Sequence, residues 1–109
     1  SSILTSLGND YSYDVIFSRQ CESLVSKNDV VIGISTSGNS KNVELGMITA
    51  QKIGAKTIGL LGHDGGVIKS VSDISIIVNS DDTAHIQESH RVIYHIICDL
   101  VEKQLSEKL

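Results

Sequence analysis

Three short runs of apolar, largely β-branched residues predict the strands of a buried sheet. They cover residues 30–34, 57–61 and 74–78, and turn-forming residues bound each run. Between the first two runs, apolar residues recur at helical spacing over residues 43–53, and Gly54 follows as a C-terminal stop. We therefore predict a β-α-β unit and a parallel sheet.

Three further segments are predicted to be helical. Residues 14–25 have the pattern of an amphipathic helix, residues 67–71 leave room for a short helix, and residues 82–105 form a long closing helix. One side of the closing helix is expected to face the core, and it collects Ile86, His90, Ile93, Ile97, Leu100 and Val101. The opposite side has Gln87 at its margin and collects Glu88, Arg91, His95, Asp99 and Glu102.

The composition is that of one ordinary globular domain, with 109 residues, 40% hydrophobic and 20% charged. A net charge of −4 with evenly spread Lys and Arg argues against a nucleic-acid partner, and no long apolar run indicates a membrane span. Cys21 and Cys98 form no C-x-x-C pair and no signal peptide is present, so we expect a cytoplasmic protein. The chain opens without Met near the apolar pair Ile3-Leu4, and we expect it to be part of a larger domain.

A hydroxyl-rich turn follows the first predicted strand and precedes the next helix. We call residues 35–40 the hydroxyl turn, and they read Ser35-Thr36-Ser37-Gly38-Asn39-Ser40. Open α/β sheets bind ligands at this edge, where unpaired N–H groups and the helix dipole favour an anion. The four hydroxyl groups can each donate to a phosphate oxygen, Gly38 lets the backbone approach, and Asn39 or Ser40 can cap the helix. The turn is therefore predicted to bind phosphate.

The hydroxyl turn also has a plainer explanation, because Ser and Thr are common in turns and at helix N-caps. Four hydroxyls in six residues after a buried strand favour phosphate. The G-K-[ST] of a Walker A loop and the G-x-G-x-x-G of a dinucleotide fingerprint are both missing, so nucleotide cofactors lose support. A second segment follows the second strand and reads Gly62-His63-Asp64-Gly65-Gly66; we call it the glycine loop. It is interpreted as an ordinary loop that at most borders the site.

Two histidines on the closing helix have different surroundings. His90 lies among apolar residues, which favours a core histidine with one satisfied hydrogen bond. His95 lies among polar residues, where it is either a solvated surface group or an imidazole that moves protons or binds zinc. Gln87 and His95 are eight residues apart, about 12 Å along the helix axis, so they cannot chelate a metal as an i,i+4 pair would.

The hydroxyl turn and four further motifs, taken together, resemble one known family. In chain order the further motifs are Gly8-Asn9-Asp10-Tyr11, Asp64-Gly65-Gly66, Ser80-Asp81-Asp82-Thr83 with Ile86-Gln87-Glu88, and His95. Over essentially its whole length the sequence resembles bacterial sedoheptulose 7-phosphate isomerases, also called phosphoheptose isomerases, of the sugar isomerase (SIS) domain superfamily. The resemblance implies that residues 1–109 are a partial SIS domain with a three-layer αβα fold and a flavodoxin-like parallel sheet, whose N-terminal helices and first strand are missing.

The resemblance also implies an activity: isomerisation of sedoheptulose 7-phosphate to D-glycero-D-manno-heptose 7-phosphate, an aldose–ketose conversion toward the heptose of lipopolysaccharide or capsule. It implies zinc as cofactor, with Gln87 and His95 at the metal and His95 as the catalytic group, and a homotetramer with active sites between subunits. The phosphorylated heptose is then expected to contact Asn9, Asp10, Ser35, Thr36, Ser37, Ser40, Thr83 and Gln87.

The sequence departs from the family in lacking a Glu with a His one turn before it on an earlier helix, and an N-G-G loop. The chain alone is therefore expected to be inactive. The main alternative is a non-catalytic SIS protein that binds the replication initiator protein, but those relatives carry a non-ligating residue where this chain has His95. A third interpretation, another SIS isomerase or a sugar-phosphate-sensing regulatory domain, should lack the tail from Asp81 to His95.

Overall fold

The computed structural model describes residues 13–108, and its centre is a three-stranded parallel sheet. The strands are β1 (Val30–Ser35), β2 (Lys56–Gly62) and β3 (Ile74–Val78), arranged in the order β1-β2-β3. Gly33 pairs with Gly59 and Leu60 with Ile76, and both ladders are parallel. The three predicted strands and their parallel pairing are confirmed.

The described residues form three α-helices around this sheet. They are α1 (Ile16–Leu24), which follows a 3₁₀ turn at Tyr13–Val15, then α2 (Lys41–Ile53) and α3 (Thr83–Lys108). A further 3₁₀ helix, Val67–Val71, fills the connection between β2 and β3, as the spacing predicted. The stop at Gly54 is also confirmed: this residue has φ +100° and its N–H donates to the carbonyls of Ala50 and Gln51.

The sheet lies between two helical layers. On one face, a Cβ at Gly33 would lie 2.7 Å from Sδ of Met47, so α2 packs directly on the glycine backbone of β1. On the other face, a Cβ at Gly62 would lie 2.7 Å from Cδ1 of Ile86, which places α3 against β2. Gly33 pairs with Gly59, and Gly62 is three residues further along β2. Successive residues of a strand point to opposite faces, so the two contacts lie on opposite faces of the sheet and give the three-layer αβα arrangement. The main apolar cluster is built on Met47, Leu61 and Ile68.

The two halves of α3 have different environments. Ile86 and His90 are buried, and Ile93 and Ile97 are half-buried. Leu100 and Val101 are 59% and 53% exposed, so the prediction that they face the core is wrong for this chain. The physical reason is length: 26 residues of helix span about 39 Å, whereas strands of five to seven residues span about 17–24 Å. The described sheet ends before the helix does.

Within residues 13–108, no helix combines the length and the apolar character needed to cross a bilayer.

Candidate functional site

Strand β1 delivers the first hydroxyl of the hydroxyl turn, and the others gather round it. Ser35 ends the strand and is 4% exposed. Its Oγ lies 2.9 Å from Oγ of Ser40 and 3.5 Å from Oγ of Ser37, and it accepts the N–H of Gly38 at 3.0 Å. Three of the four hydroxyls predicted to hold phosphate therefore converge on one point at the carboxyl edge of the sheet.

The amino end of α2 is not closed by the side chains that were expected to cap it. Ser40 is the N-cap residue by position, with φ −65° and ψ 114°, but it makes no side-chain cap hydrogen bond. Its hydroxyl bonds to Ser35 instead, and the side chain of Asn39 bonds to the N–H of Val67. The prediction that Asn39 or Ser40 caps α2 is therefore confirmed for Ser40 by position, but the expected side-chain cap is not made, because Ser40 bonds within the turn and Asn39 bonds to the following 3₁₀ helix. The helix start, with its partial positive charge, lies beside the gathered hydroxyls.

A cavity of about 440 Å³, which we call the α3 cavity, opens between the hydroxyl turn and α3. Its described lining comes from two sides. The strand and turn provide Ile34, Ser35, Thr36 and Ser40, and the helix provides Gln87, His90, Arg91 and Tyr94. The four helical positions are related as i, i+3, i+4 and i+7, so they form one stripe of α3. Gln87 and three members of the hydroxyl turn, all predicted to bind substrate, thus share one cavity.

His90 is the buried member of this stripe, with 3% of its surface exposed. Its Nε2 lies 2.7 Å from the carbonyl oxygen of Leu61, so Nε2 carries a proton and donates it. The other ring nitrogen, Nδ1, is buried and has no hydrogen-bond partner among the described residues. The interpretation of His90 as a core histidine with one satisfied hydrogen bond is therefore confirmed.

The remaining predicted site residues of α3 lie at its surface. Thr83, Gln87 and His95 are all exposed. His95 is not among the described residues that line the α3 cavity, and its ring stands edge-on to Tyr94 at 6.0 Å between centroids. The hydrogen bond with Cys98, and then the electrostatic effect of that side chain, raise the pKa of the Tyr94 phenol above its usual value. The structure thus brings Gln87, but not His95, to the hydroxyl turn.

Residues 13–108 contain no group of three or more His, Cys, Asp or Glu side chains placed to hold a metal ion. The predicted pairing of Gln87 and His95 at zinc stays a prediction, since the two positions are about two helical turns apart. Asn9 and Asp10, the other predicted substrate contacts, lie outside the described residues.

The glycine loop has a structural role that the sequence analysis did not assign to it. It packs directly on the hydroxyl turn: a Cβ at Gly38 would lie 2.8 Å from the N atom of Gly66, and it would also strike the carbonyl of Gly65. Gly38, Gly65 and Gly66 all have positive φ, at +74°, +94° and +55°. Three glycines at left-handed positions are what permits the two backbones to touch. Consecutive glycines directly after a buried strand were the available signal.

A stripe of α3 was likewise missed. Arg91 was placed on the polar side of the helix and Tyr94 was given no role, yet both line the α3 cavity. Among the described lining residues, Arg91 is the one with a permanent charge. A wall of hydroxyls that faces a guanidinium suits an anionic ligand.

Known proteins resemble this chain in sequence and in fold. The SIS domain model matches residues 8–98. The chain is 56% identical over 105 residues to the phosphoheptose isomerase of Geobacter sulfurreducens, covering 96% of this chain and 56% of that protein. Its structure resembles the phosphoheptose isomerase of Francisella tularensis, with a TM-score of 0.89 and 34% identity over 94% of this chain and 55% of the other. For the phosphoheptose isomerase of Neisseria gonorrhoeae the TM-score is 0.88 and the identity 42%, over 92% and 57%.

The chain therefore spans little more than half the length of these relatives. The family model covers most of the chain, and the folds agree over nearly all of it. By sequence and by fold, this chain belongs to the SIS domain family.

Proposed function

We propose that the protein is a phosphoheptose isomerase that converts sedoheptulose 7-phosphate to D-glycero-D-manno-heptose 7-phosphate, for the heptose of lipopolysaccharide or capsule. The observation that carries the proposal is the α3 cavity, in which the hydroxyl turn faces Gln87 in a chain similar to proteins of that name. The chain spans 56% of the Geobacter sulfurreducens protein. The proposed reaction is therefore that of the full-length protein.

At the phosphate end, the hydroxyls of Ser35, Thr36, Ser37 and Ser40 would donate to the phosphate oxygens. The start of α2 adds partial positive charge, and its dipole favours an anion. Arg91 lies on the opposite wall of the cavity and would add a full positive charge. Three independent sources of positive potential thus favour the phosphorylated end of a sugar at this place.

At the sugar end, a proton must leave one carbon and return to its neighbour through an enediolate. This needs a base at carbon, a proton shuttle between the two oxygens, and donors that stabilise the oxyanion. We assign the shuttle to His95, whose exposed ring is free to meet a substrate or a neighbouring subunit. Gln87, Thr83, Asn9 and Asp10 would contact the sugar. The base itself would come from outside this chain.

Zinc is part of the proposal by family resemblance alone. The imidazole of His95 is a usual zinc donor, whereas the amide oxygen of Gln87 is not one of the usual donor types, and the described residues do not complete a metal site. Gln87 and His95 would each have to lean toward an ion whose other ligands come from elsewhere. No step of the reaction described here passes through the metal.

We further propose a cytoplasmic homotetramer with its active sites between subunits. Support comes from the second half of α3, where the apolar side chains of Leu100, Val101 and Leu105 are exposed. A neighbouring subunit would bury this apolar surface. Light scattering on the full-length protein tests the oligomeric state, and a monomer would contradict this part.

The experiment that tests the reaction compares two histidine variants of the full-length protein. His95→Ala should lower kcat by a factor of about 100 to 10,000, the usual loss when a proton-transfer group is removed, with little change in the thermal midpoint. His90→Ala should instead lower the thermal midpoint, because it removes a buried ring and leaves the Leu61 carbonyl unpaired.

The assay follows conversion of sedoheptulose 7-phosphate, and the unmodified protein should turn over at about 1 per second or faster. Near-normal kcat in His95→Ala, with unchanged zinc content, would contradict the assigned role. A full-length protein that binds the sugar phosphate without converting it would point to the non-catalytic binding proteins of the same family.

A further inference from the structure

We propose that Asn39 is a positioning residue that ties the hydroxyl turn to the start of the 3₁₀ helix after the glycine loop and so holds the turn in the shape that binds the substrate phosphate. The proposal rests on the proposed function, because the ligand is the phosphorylated sugar argued for above. Asn39 is not among the described residues that line the α3 cavity. Its effect on the ligand would therefore pass through the backbone of the turn.

The side chain of Asn39 bonds both within the hydroxyl turn and to the first residue of the 3₁₀ helix that follows the glycine loop. Its Oδ1 accepts the N–H of Val67 at 2.9 Å, across 28 residues of sequence, and its Nδ2 donates to the carbonyl of Ser37 at 3.4 Å. A backbone bond runs beside it, from the N–H of Ile68 to the carbonyl of Gly38 at 2.9 Å. Two hydrogen bonds thus join the turn after β1 to the first residues of the 3₁₀ helix after β2.

The glycine loop is itself held in the conformation that this contact needs. Gly66 has φ +55° and ψ −160°, a region that residues with a side chain rarely adopt. Its N–H donates to Oδ1 of Asp64 at 2.9 Å. A Cβ at Gly66 would lie 2.6 Å from Oδ1 of Asn39, so an added methyl group would strike the acceptor atom of the tie. The glycine loop therefore has a fixed shape, and Asn39 can hold the hydroxyl turn against it.

Fixing the turn matters because two of its side chains are exposed. Ser37 and Asn39 are exposed, whereas Ser35 is buried at the end of β1. Hydroxyls that converge before the ligand arrives bind it more tightly than hydroxyls that must be ordered on binding. Asn39 supplies that order at the exposed end of the turn. Its N–H donates to Oγ of Ser37 at 3.0 Å, and its side chain makes the hydrogen bonds described above.

The test breaks the Asn39–Val67 hydrogen bond from each partner in the full-length protein. Asn39→Ala removes the acceptor. Val67→Pro removes the donor N–H, and proline fits here because Val67 begins a 3₁₀ helix and Gly66 before it is extended in ψ. Val67→Ala keeps the N–H and controls for the side chain, and Asn28→Ala repeats the Asn39 change at the exposed residue 28, at the opposite edge of the sheet.

Each bond-breaking variant should raise the KM for sedoheptulose 7-phosphate, and the inhibition constant of inorganic phosphate, by about fivefold to tenfold. The kcat should stay within about twofold, since no reacting group is touched. The double variant should be no worse than Asn39→Ala alone, because Val67→Pro removes only a hydrogen bond that Asn39→Ala has already lost. Both controls should keep the KM of the unmodified protein.

Unchanged KM in Asn39→Ala and Val67→Pro, or effects that multiply in the double variant, would overturn the proposal. Should Val67→Pro fail to fold, Asn39→Ala against Asn28→Ala decides alone, and equal KM values would overturn it. A protein that shows no turnover is examined with inorganic phosphate by titration calorimetry. Weaker phosphate binding in Asn39→Ala would then support the positioning role while the proposed reaction fails, and absent or unchanged phosphate binding would overturn the positioning role as well.

Discussion

The two loops that leave the carboxyl edges of β1 and β2 lie against each other but have opposite chemistry. The hydroxyl turn carries four hydroxyl groups, and one of its six residues is a glycine. The glycine loop carries three glycines in five residues, and its backbone rather than its side chains makes the contact. In the proposed function, one loop offers donors to a ligand, and the other gives those donors a fixed support. A ligand site therefore depends on residues whose own chemistry would never identify them.

The difference between the hydroxyl turn and the glycine loop predicts that a substitution can destroy the site without removing any group that touches the ligand. Gly38→Ala adds a methyl group at φ +74° and against the Gly65 carbonyl. We expect a loss of about 2 kcal/mol or more in the free energy of unfolding, and a fall of about 100-fold in affinity for the sugar phosphate, as the loops separate. Urea denaturation and titration calorimetry measure the two effects.

Gly54→Ala provides the matched control for this prediction, because it also places a methyl group at positive φ, but at the end of α2 away from the hydroxyl turn. It should lower stability and leave the affinity for the sugar phosphate unchanged. Equal losses of affinity in the two variants would mean that general destabilisation, and not contact between the loops, controls binding.

Removing one hydroxyl from the hydroxyl turn, and one from the 3₁₀ helix that follows the glycine loop, sharpens the comparison. Ser37→Ala should weaken binding of the sugar phosphate by about 1–3 kcal/mol, the usual cost when a charged acceptor loses a donor. Ser70→Ala lies in the 3₁₀ helix after the glycine loop, where its hydroxyl donates to the Val67 carbonyl at 2.8 Å, and it should leave affinity unchanged. Calorimetry on both variants makes the measurement, and a similar loss at Ser70 would contradict the assigned difference between the regions.

The smallest expected effect concerns charge on the wall that faces the hydroxyl turn. Arg91→Gln should raise the KM for the sugar phosphate by about threefold to fivefold, since the exposed guanidinium acts partly through solvent. The salt dependence of KM should also become weaker. Lys103→Gln removes the same charge about three turns along α3 and should change neither quantity. Equal effects of the two variants would assign the result to net charge instead of the cavity.

The strands, the parallel order and the position of the hydroxyl turn could be predicted from sequence because each has a local cause. Apolar runs, helical spacing and Gly54 all act within a few residues. The contact between the loops could not be predicted in the same way. It depends on Gly38 and Gly66, which are far apart in sequence and meet because β1 and β2 pair in parallel.

The course of α3 shows the same limit. Its periodicity correctly placed Ile86 and His90 in the core, but it continues past the point where the sheet ends, so Leu100 and Val101 are exposed. Periodicity tells which side of a helix is apolar, and the extent of the neighbouring layer decides how much of that side is covered. The same limit applies to Arg91. It lies on the polar side of α3, and the sequence does not reveal that this part of the helix lines a cavity.

The central claim is that the hydroxyl turn holds the phosphate of the ligand, and one calorimetric comparison tests it most directly. Sedoheptulose 7-phosphate and unphosphorylated sedoheptulose are titrated into the full-length protein and into its Ser35→Ala, Ser37→Ala double variant. We predict that the unmodified protein prefers the phosphorylated sugar by a wide margin, and that the double variant loses most of this preference while its affinity for sedoheptulose stays the same. An unchanged preference for the phosphorylated sugar in the double variant would contradict the claim.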